Sequence, residues 1–265
     1  SLVGIANGTS NFVLTQCDLE GTEPVDALGT AQRRGYAEPD PQNDIDGTDA
    51  GEKLAVLLQH FAARHVPPDG IETRGIAGIT STQIRHAREL GGVLKPIVCA
   101  DWTKGLEAFV GPAFLPAAHP LSRVDGVENA LLLGRAGGRL LFQGPGAGPD
   151  VTAATVLDDV LEVAAGAAPL ARADLKSDRP GSPETGWFVT VDAVRLPRPV
   201  DVADLLGSYG IYAHRTSARH AAGGREHQSL LAWPVRRPQL EAALDALRQS
   251  CACATAALRA LEPTQ

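Results

Sequence analysis

The chain has 265 residues, of which 44% are hydrophobic and 21% are charged, and its formal net charge is -7. It has neither an apolar run of membrane-spanning length nor a basic, apolar leader, so a globular protein of the cytoplasm is expected. Phosphate binding needs clustered Lys and Arg, and the arginines here are scattered. Nucleic acid and membrane are therefore not expected partners, which leaves small molecules or other proteins.

The absence of two residue patterns is informative. There is no methionine, so residue 1 is not a translation start as written, and a truncated or processed chain is expected. The four cysteines lack the paired C-x-x-C spacing of a zinc site and are interpreted as ordinary thiols. No metal site is predicted.

The first third of the chain predicts three helices. One begins after the turn at Asn7 to Ser10, and a second covers residues 23–34. Two prolines exclude regular structure across 39–41. A third helix is predicted to start at a Thr48 cap and to end before Pro67, because apolar residues recur at helical spacing between them.

The middle of the chain predicts alternating strands and helices. Residues 71–79 and 95–102 are read as strands around a short helix at 81–90. Two further strands are joined at the Gly137-Gly138 turn. A helix with a threonine cap is expected at 152–165.

A Pro-, Gly- and Ser-rich segment at 171–186 is the best linker candidate, and it divides the chain into domains at 1–170 and 187–265. The second domain has the order strand, helix, strand, strand, helix, strand, which is the split βαβ arrangement of ferredoxin-like domains. The fold class predicted for the whole chain is α+β. The six C-terminal elements are expected at 187–194, 200–208, 211–219, 226–235, 238–249 and 254–261.

An acidic stretch, RGYAEPDPQNDIDGTDAGEKL at residues 34–54, is the first candidate site. Asp49 and Lys53 stand four residues apart on the predicted helix, where they can form an ion pair. The pair is compatible with an exposed contact worth a few tenths of a kcal/mol. It is also compatible with an ammonium that is positioned to give or take a proton.

Glu38, Asp44 and Asp49 all precede Lys53 on a loop that prolines stiffen. Several carboxylates beside one amine suit recognition of an amino acid, whose ammonium needs anionic partners. Hard oxygen ligands also suit calcium or magnesium, but the spacing of an EF-hand loop is absent. From the residues alone, an exposed acidic loop, an amino-acid site and a cation site all stay open.

Two glycine-containing segments are weaker candidates. Gly144, Gly146 and Gly148 lie between a predicted strand and a predicted helix, where backbone amides can approach an anion. A tight turn explains them equally well, and the spacing is not that of a dinucleotide-binding fingerprint. The NGT segment beginning at Asn7 is interpreted as a capping turn.

Taken in order, GIANGTSNFVLT, AQRRGYAEPDPQNDIDGTDAGEKLAVL and the GPGAG before a helix resemble homoserine dehydrogenase, from about residue 3 to residue 165. The resemblance implies interconversion of L-homoserine and L-aspartate 4-semialdehyde with NAD or NADP, a step in threonine, methionine and isoleucine biosynthesis. It also implies a homodimer formed through the sheet of the second domain of such enzymes. The C-terminal unit is similar to an ACT domain.

The resemblance implies roles for individual residues. Lys53 matches the catalytic lysine, and Glu38, Asp49 and Asp44 match the acids of the substrate site. The wall of that site would contain Tyr36, and Thr9 and Gly8 would lie near the nicotinamide and the substrate. The cofactor-side loop would contain Gly144, Gly146 and Gly148.

The sequence also departs from the family pattern. The coenzyme domain with its G-x-G-x-x-G motif is not found, and the segment RLPRPVDVADLL lacks the glycine expected between the first strand and first helix of an ACT domain. The alternative function is therefore a non-catalytic, amino-acid-binding or regulatory subunit that lacks the coenzyme domain.

Overall fold

The computed structural model describes residues 1–146, 148–166, 178–196 and 199–262, without the side chains of 199–201, 203, 222 and 251. Eight α-helices lie within these ranges. They are α1 (Gly8–Glu20), α2 (Pro24–Arg33), α3 (Gln42–Ile45), α4 (Thr48–Ala62), α5 (Ser81–Glu89), α6 (Pro149–Ala164), α7 (Pro199–Ser208) and α8 (Arg237–Cys251). Short 3-10 turns occupy Pro68–Gly70 and Pro120–Arg123.

Eleven described strands join in one mixed sheet. They are β1 (Leu2–Ile5), β2 (Glu72–Thr73), β3 (Gly92–Asp101), β4 (Glu107–Pro116), β5 (Glu128–Arg135), β6 (Gly138–Pro145), β7 (Thr185–Ala193), β8 (Ala213–Thr216), β9 (His220–Ala222), β10 (Arg225–Val235) and β11 (Ala254–Ala260). The order across the sheet is β6-β5-β1-β3-β4-β11-β7-β10-β8, with β2 beside β4 and β9 beside β10. The fold is therefore mixed α/β, around a single sheet.

The sheet crosses the predicted domain boundary without a break. The last strand, β11, pairs in parallel with β4 and antiparallel with β7, with Arg259 opposite Ala113 on one side and Trp187 on the other. One buried cluster also joins residues from both parts, because Phe114 stacks on Phe188 with ring centroids 5.9 Å apart. The division at 171–186 stays a prediction, and residues 171–177 lie outside the described part of the chain.

The C-terminal part has the predicted element order with one addition. Strands β7, β8, β10 and β11 alternate with α7 and α8 as expected, and β9 is an extra short strand. The predicted strand at 211–219 is the shorter β8, and β9 lies just beyond that range. The strands of the C-terminal part lie in the order β11-β7-β10-β8 in the sheet, which is a split βαβ arrangement. Assignment as an ACT domain stays a prediction.

Two local predictions were wrong, and two strands were missed. The strand expected at 71–79 is reduced to Glu72–Thr73, and the 107–116 segment forms a long strand that was not predicted. Helix α6 starts at Pro149 and not at Thr152, because Gly148 occupies the N-cap and proline suits the first turn. The four-residue strand β1 was also missed, since it is too short to show a period.

The helices that form the candidate site are anchored by buried apolar side chains. Helix α4 buries Leu54 and Leu58 against Leu2, Val98 and Val110 of the sheet. Burying a leucine side chain contributes about 1.5–3 kcal/mol, so this face fixes where the polar face of the helix lies. None of the described helices is both long and apolar enough to span a membrane.

Candidate active site

The turn between β1 and α1 gathers the acidic stretch around a single side chain. Asn7 is 4% exposed and is the N-cap of α1, where its Oδ1 accepts a hydrogen bond of 2.8 Å from the Ser10 amide. Its Nδ2 donates to Asp44 Oδ1 and to Asp49 Oδ2, both at 2.7 Å. The segment read from sequence as a capping turn is a cap, and it also orients two carboxylates.

The predicted pair on α4 is confirmed. Lys53 Nζ lies 2.7 Å from Asp49 Oδ2, the oxygen that also accepts from Asn7. The side chains are 46% and 28% exposed, so solvent screening limits the contribution of this ion pair to stability to a few tenths of a kcal/mol. The effect of the arrangement is therefore to orient an accessible ammonium.

The hydroxyls of α1 attach the rest of the acidic stretch. Thr9 Oγ1 donates to the Tyr36 carbonyl at 2.7 Å, and Ser10 Oγ donates to the Asp44 carbonyl at 2.7 Å. The Tyr36 ring packs edge-on against Phe12 at 5.2 Å. The first turn of α1 thus binds both ends of the 36–44 segment.

Helix α4 begins at a glycine because of its backbone conformation. Gly47, not the predicted Thr48, is the N-cap, with φ of 89° in the left-handed region. A Cβ at Gly47 would also lie 3.3 Å from the Arg74 carbonyl. Glycine is therefore the residue that allows the chain to turn sharply enough to place Asp49 in the first turn of the helix.

Two predicted residues stand apart from this network. Gly8 is the buried first residue of α1 and contributes only backbone. Glu38 is exposed, and its carbonyl accepts from Gln32 Nε2 at 3.2 Å. Among the described residues its carboxylate forms no ion pair with Lys53, so its role stays a prediction.

A cavity of about 390 Å³ opens beside Lys53. Its polar groups come from Asp49, Glu52 and Lys53 of α4 and from Asn129 of β5. The remaining walls are apolar, which is the usual character of a site for an organic ligand. They are formed by Ile5, Ala6, Val56, Leu57 and Leu131.

The glycine loop adjoins the same cavity through Asn129. Gly144 is the register partner of Asn129 in the β5-β6 ladder. An added Cβ at Gly146 would lie 2.2–2.4 Å from the atoms of the Asn129 side-chain amide, so the backbone of Gly146 covers that amide closely. Gly148 lies further on, at the N-cap of α6. Two of the three predicted glycines are thereby brought to the site.

A larger cavity of about 620 Å³ shares no lining residue with this one. Its charged groups have both signs, for example Asp101, Lys104 and Glu107. These charges do not converge on one ligand type. The smaller cavity is lined by the predicted residues Asp49 and Lys53 and is therefore the candidate active site.

Comparison with known proteins identifies the family. The homoserine dehydrogenase family model matches residues 1–161. The chain is 42% identical over 164 residues to homoserine dehydrogenase of Lactococcus lactis, covering 61% of this chain and 38% of that protein. It is 36% identical over 214 residues to the Corynebacterium glutamicum enzyme, covering 78% and 48%.

Solved structures extend the similarity to the C-terminal part. A homoserine dehydrogenase from Thiobacillus denitrificans superposes with a TM-score of 0.84 at 30% identity, covering 99% of this chain and 64% of that one. The Staphylococcus aureus enzyme at pH 7.0 gives 0.77 at 26% identity, covering 98% and 65%. The chain spans less than two thirds of the length of each of these relatives. It belongs to the homoserine dehydrogenase family.

Proposed function

We propose that this chain supplies the substrate site and the proton-transfer site of an enzyme that interconverts L-homoserine and L-aspartate 4-semialdehyde with a nicotinamide cofactor, in amino-acid biosynthesis. The observation that supports this most strongly is the position of Lys53. Its ammonium is held by Asp49 at the rim of an apolar cavity, and Asn7 fixes Asp49 from behind.

The carboxylates can bind the substrate as an amino acid. Asp49 has one oxygen occupied by Asn7 and Lys53, which leaves the other for a substrate ammonium. Asp44 lies beside it on the same Asn7 amide, and Glu38 lies on the exposed part of the same segment. Charge-assisted hydrogen bonds to an ammonium are about twice as strong as neutral ones, so these acids favour an amino-acid ligand.

Lys53 can then act on the reacting oxygen. In the direction of reduction, its ammonium donates a hydrogen bond to the aldehyde oxygen of the substrate. It transfers a proton to that oxygen as negative charge develops there. In the reverse direction, the neutral amine accepts the proton of the homoserine hydroxyl. Asp49 keeps the amine within reach in both directions.

The residues present fit the nicotinamide part of the cofactor. The apolar walls suit a flat ring, and Gly144 and Gly146 leave the floor beside Asn129 free of side chains. When bound, the reduced cofactor supplies a hydride to the aldehyde carbon. The choice between NAD and NADP stays open, since it depends on groups that bind the adenosine ribose.

Lys53→Ala tests this function. Steady-state kinetics of the native polypeptide, whose length is set by intact mass, should show kcat reduced by about 10²–10⁴ with a normal unfolding midpoint. Lys104→Ala is the matched control, because Lys104 is exposed and lines only the larger cavity. Near-normal kcat in Lys53→Ala would refute the proposal.

The alternative, a non-catalytic amino-acid-binding subunit, makes a different prediction. It requires homoserine or threonine to bind to a native polypeptide that shows no response to NADPH or NADH. Calorimetric titration with each amino acid and each cofactor separates the two. Binding of both ligand types by one polypeptide supports the enzyme.

We also propose that the native protein is a homodimer, in the cytoplasm as the sequence predicts. Edge strand β6 exposes Leu140, Leu141 and Phe142, and α6 has no buried residue. A further five large apolar side chains on α6 are also exposed, namely Val156, Leu157, Val160, Leu161 and Val163. Exposed apolar side chains in such numbers are typical of an interface. Light scattering should give twice the chain mass, and Phe142→Lys should reduce it to one.

A further inference from the structure

Asn129 carries a feature that the function proposed above leaves unexplained. Its Oδ1 is inaccessible to solvent, and it has no hydrogen-bond partner within the described part of the chain. Leaving such an acceptor unpaired costs about 1–3 kcal/mol. The same side chain lines the cavity beside Lys53. An unpaired acceptor at a cavity wall is the expected state of a residue whose partner is a ligand.

The position of Asn129 is fixed from behind by a buried clamp. The turn before β5 is bound by two fully buried side chains. Lys95 Nζ donates to the Val124 carbonyl at 2.7 Å and to Asp125 Oδ1 at 2.8 Å. Asn11 Nδ2 donates to the carbonyls of Val124 and Glu128 at 3.0 and 3.1 Å. Because Glu128 directly precedes Asn129, this clamp sets where the amide of Asn129 enters the cavity.

The amide is also fixed from the front. The backbone of Gly146 lies so close that a Cβ there would be 2.2 Å from Cγ of Asn129. This packing leaves the torsion about Cβ–Cγ as the remaining freedom of the side chain, and for asparagine that torsion is soft. Rotation about that torsion is the movement by which Oδ1 would reach the cavity.

The residues around Asn129 indicate which chemical group of a ligand could donate a hydrogen bond to Oδ1. The substrate ammonium is served by the carboxylates, so the donor for Oδ1 must come from elsewhere. The walls next to Asn129 are apolar, from Ile5, Ala6 and Leu131. A flat ring bearing a carboxamide meets both conditions, since the ring covers the apolar wall and the carboxamide N–H reaches the acceptor.

We propose that Asn129 binds the carboxamide of the nicotinamide ring, with Oδ1 accepting a hydrogen bond from its N–H. This inference rests on the proposed function. It makes Asn129 a positioning residue for the ring, which orients the hydride-bearing face towards the aldehyde carbon of the substrate, whose oxygen Lys53 contacts.

The test compares two reduced cofactors by calorimetric titration of the native polypeptide. One is NADPH, and the other is its 3-acetylpyridine analogue, in which a methyl group replaces the carboxamide NH₂. Wild type should bind NADPH about five- to tenfold more tightly, which is the effect of one hydrogen bond. Asn129→Ala should lose that preference by weakening NADPH binding alone.

Gly146→Ala is the second variant, because its Cβ would displace the Asn129 amide, and it should lose the same preference. Gln143→Ala is the control, since Gln143 is exposed on the neighbouring strand and its amide donates to Glu128. If Asn129→Ala weakens both cofactors equally, or neither, the inference is wrong while the proposed function stands. If wild type binds no cofactor and turns over no homoserine, both are wrong.

Discussion

Replacing Asn7 tests whether one buried amide organises the site. Asn7→Ala removes an N-cap, which costs about 1 kcal/mol. It also removes two hydrogen bonds to carboxylates. Each would contribute about 1.5–3 kcal/mol if buried. Because both acids are partly exposed, we reduce each to about 0.5–1 kcal/mol. The variant should therefore lose about 2–3 kcal/mol of the free energy of unfolding in urea.

Asn7→Asp separates the two roles of the side chain. An aspartate keeps the cap acceptor but replaces the donor with a third carboxylate beside Asp44 and Asp49. The variant should be unstable at pH 7 and should recover towards Asn7→Ala as the pH falls, because one of the three acids then takes up a proton. Both variants should lower kcat, since Asp49 no longer holds Lys53 firmly. A loss below about 0.5 kcal/mol in Asn7→Ala, or wild-type stability of Asn7→Asp at pH 7, would refute this reasoning.

Two further predictions concern buried ionisable side chains outside the candidate active site. Burial lowers the pKa of His86 to about 4 from 6.5, so its stabilising contribution is complete above pH 6.5 and is lost as the pH falls towards 4. Between pH 8 and pH 5 wild type should lose about 2 kcal/mol more than His86→Gln in urea unfolding, and equal losses would contradict this. Arg259 lies between the rings of Phe109 and Trp187 and bonds Glu72 at 2.8 Å. Arg259→Met should cost about 3 kcal/mol and Arg259→Lys less, because lysine keeps the charge beside Glu72; equal costs would contradict this and show that the charge alone contributes nothing.

Local patterns predicted the helices of the site well. The spacing of Leu54, Leu57 and Leu58 placed α4, and the four-residue spacing of Asp49 and Lys53 predicted their ion pair. Both depend only on the helical period, which is visible in any short window of sequence.

The central role of Asn7 in the site could not be predicted from local patterns. Asn7 reaches carboxylates 37 and 42 residues away in the chain, so only its role as a cap could be inferred from its neighbours. Asn129 was likewise not predicted, because its unpaired oxygen and its packing on Gly146 arise from the β5-β6 pairing. A lone asparagine in a strand pattern gives no signal of either.

Strand β4 was missed for a physical reason. Its interior contains Gly111 and Pro112, and both residues normally argue against a central strand. In the structure Pro112 lies opposite Pro96 of β3. An antiparallel ladder has positions at which the paired residues exchange no hydrogen bond, and there two prolines cost the ladder nothing. This tolerance depends on register, which the sequence of one strand does not reveal.

The place of β11 in the sheet has a consequence for how the protein is made. The strand lies between β4 and β7, yet it is the last element of the described chain to leave the ribosome. Until then the edge of β4 that faces away from β3 is covered only by the two-residue strand β2, and the two halves of the sheet have no strand to join them. An open strand edge can pair with other chains. Loss of the last strand by a premature stop should therefore yield an aggregating product, even though every residue of the candidate active site precedes it.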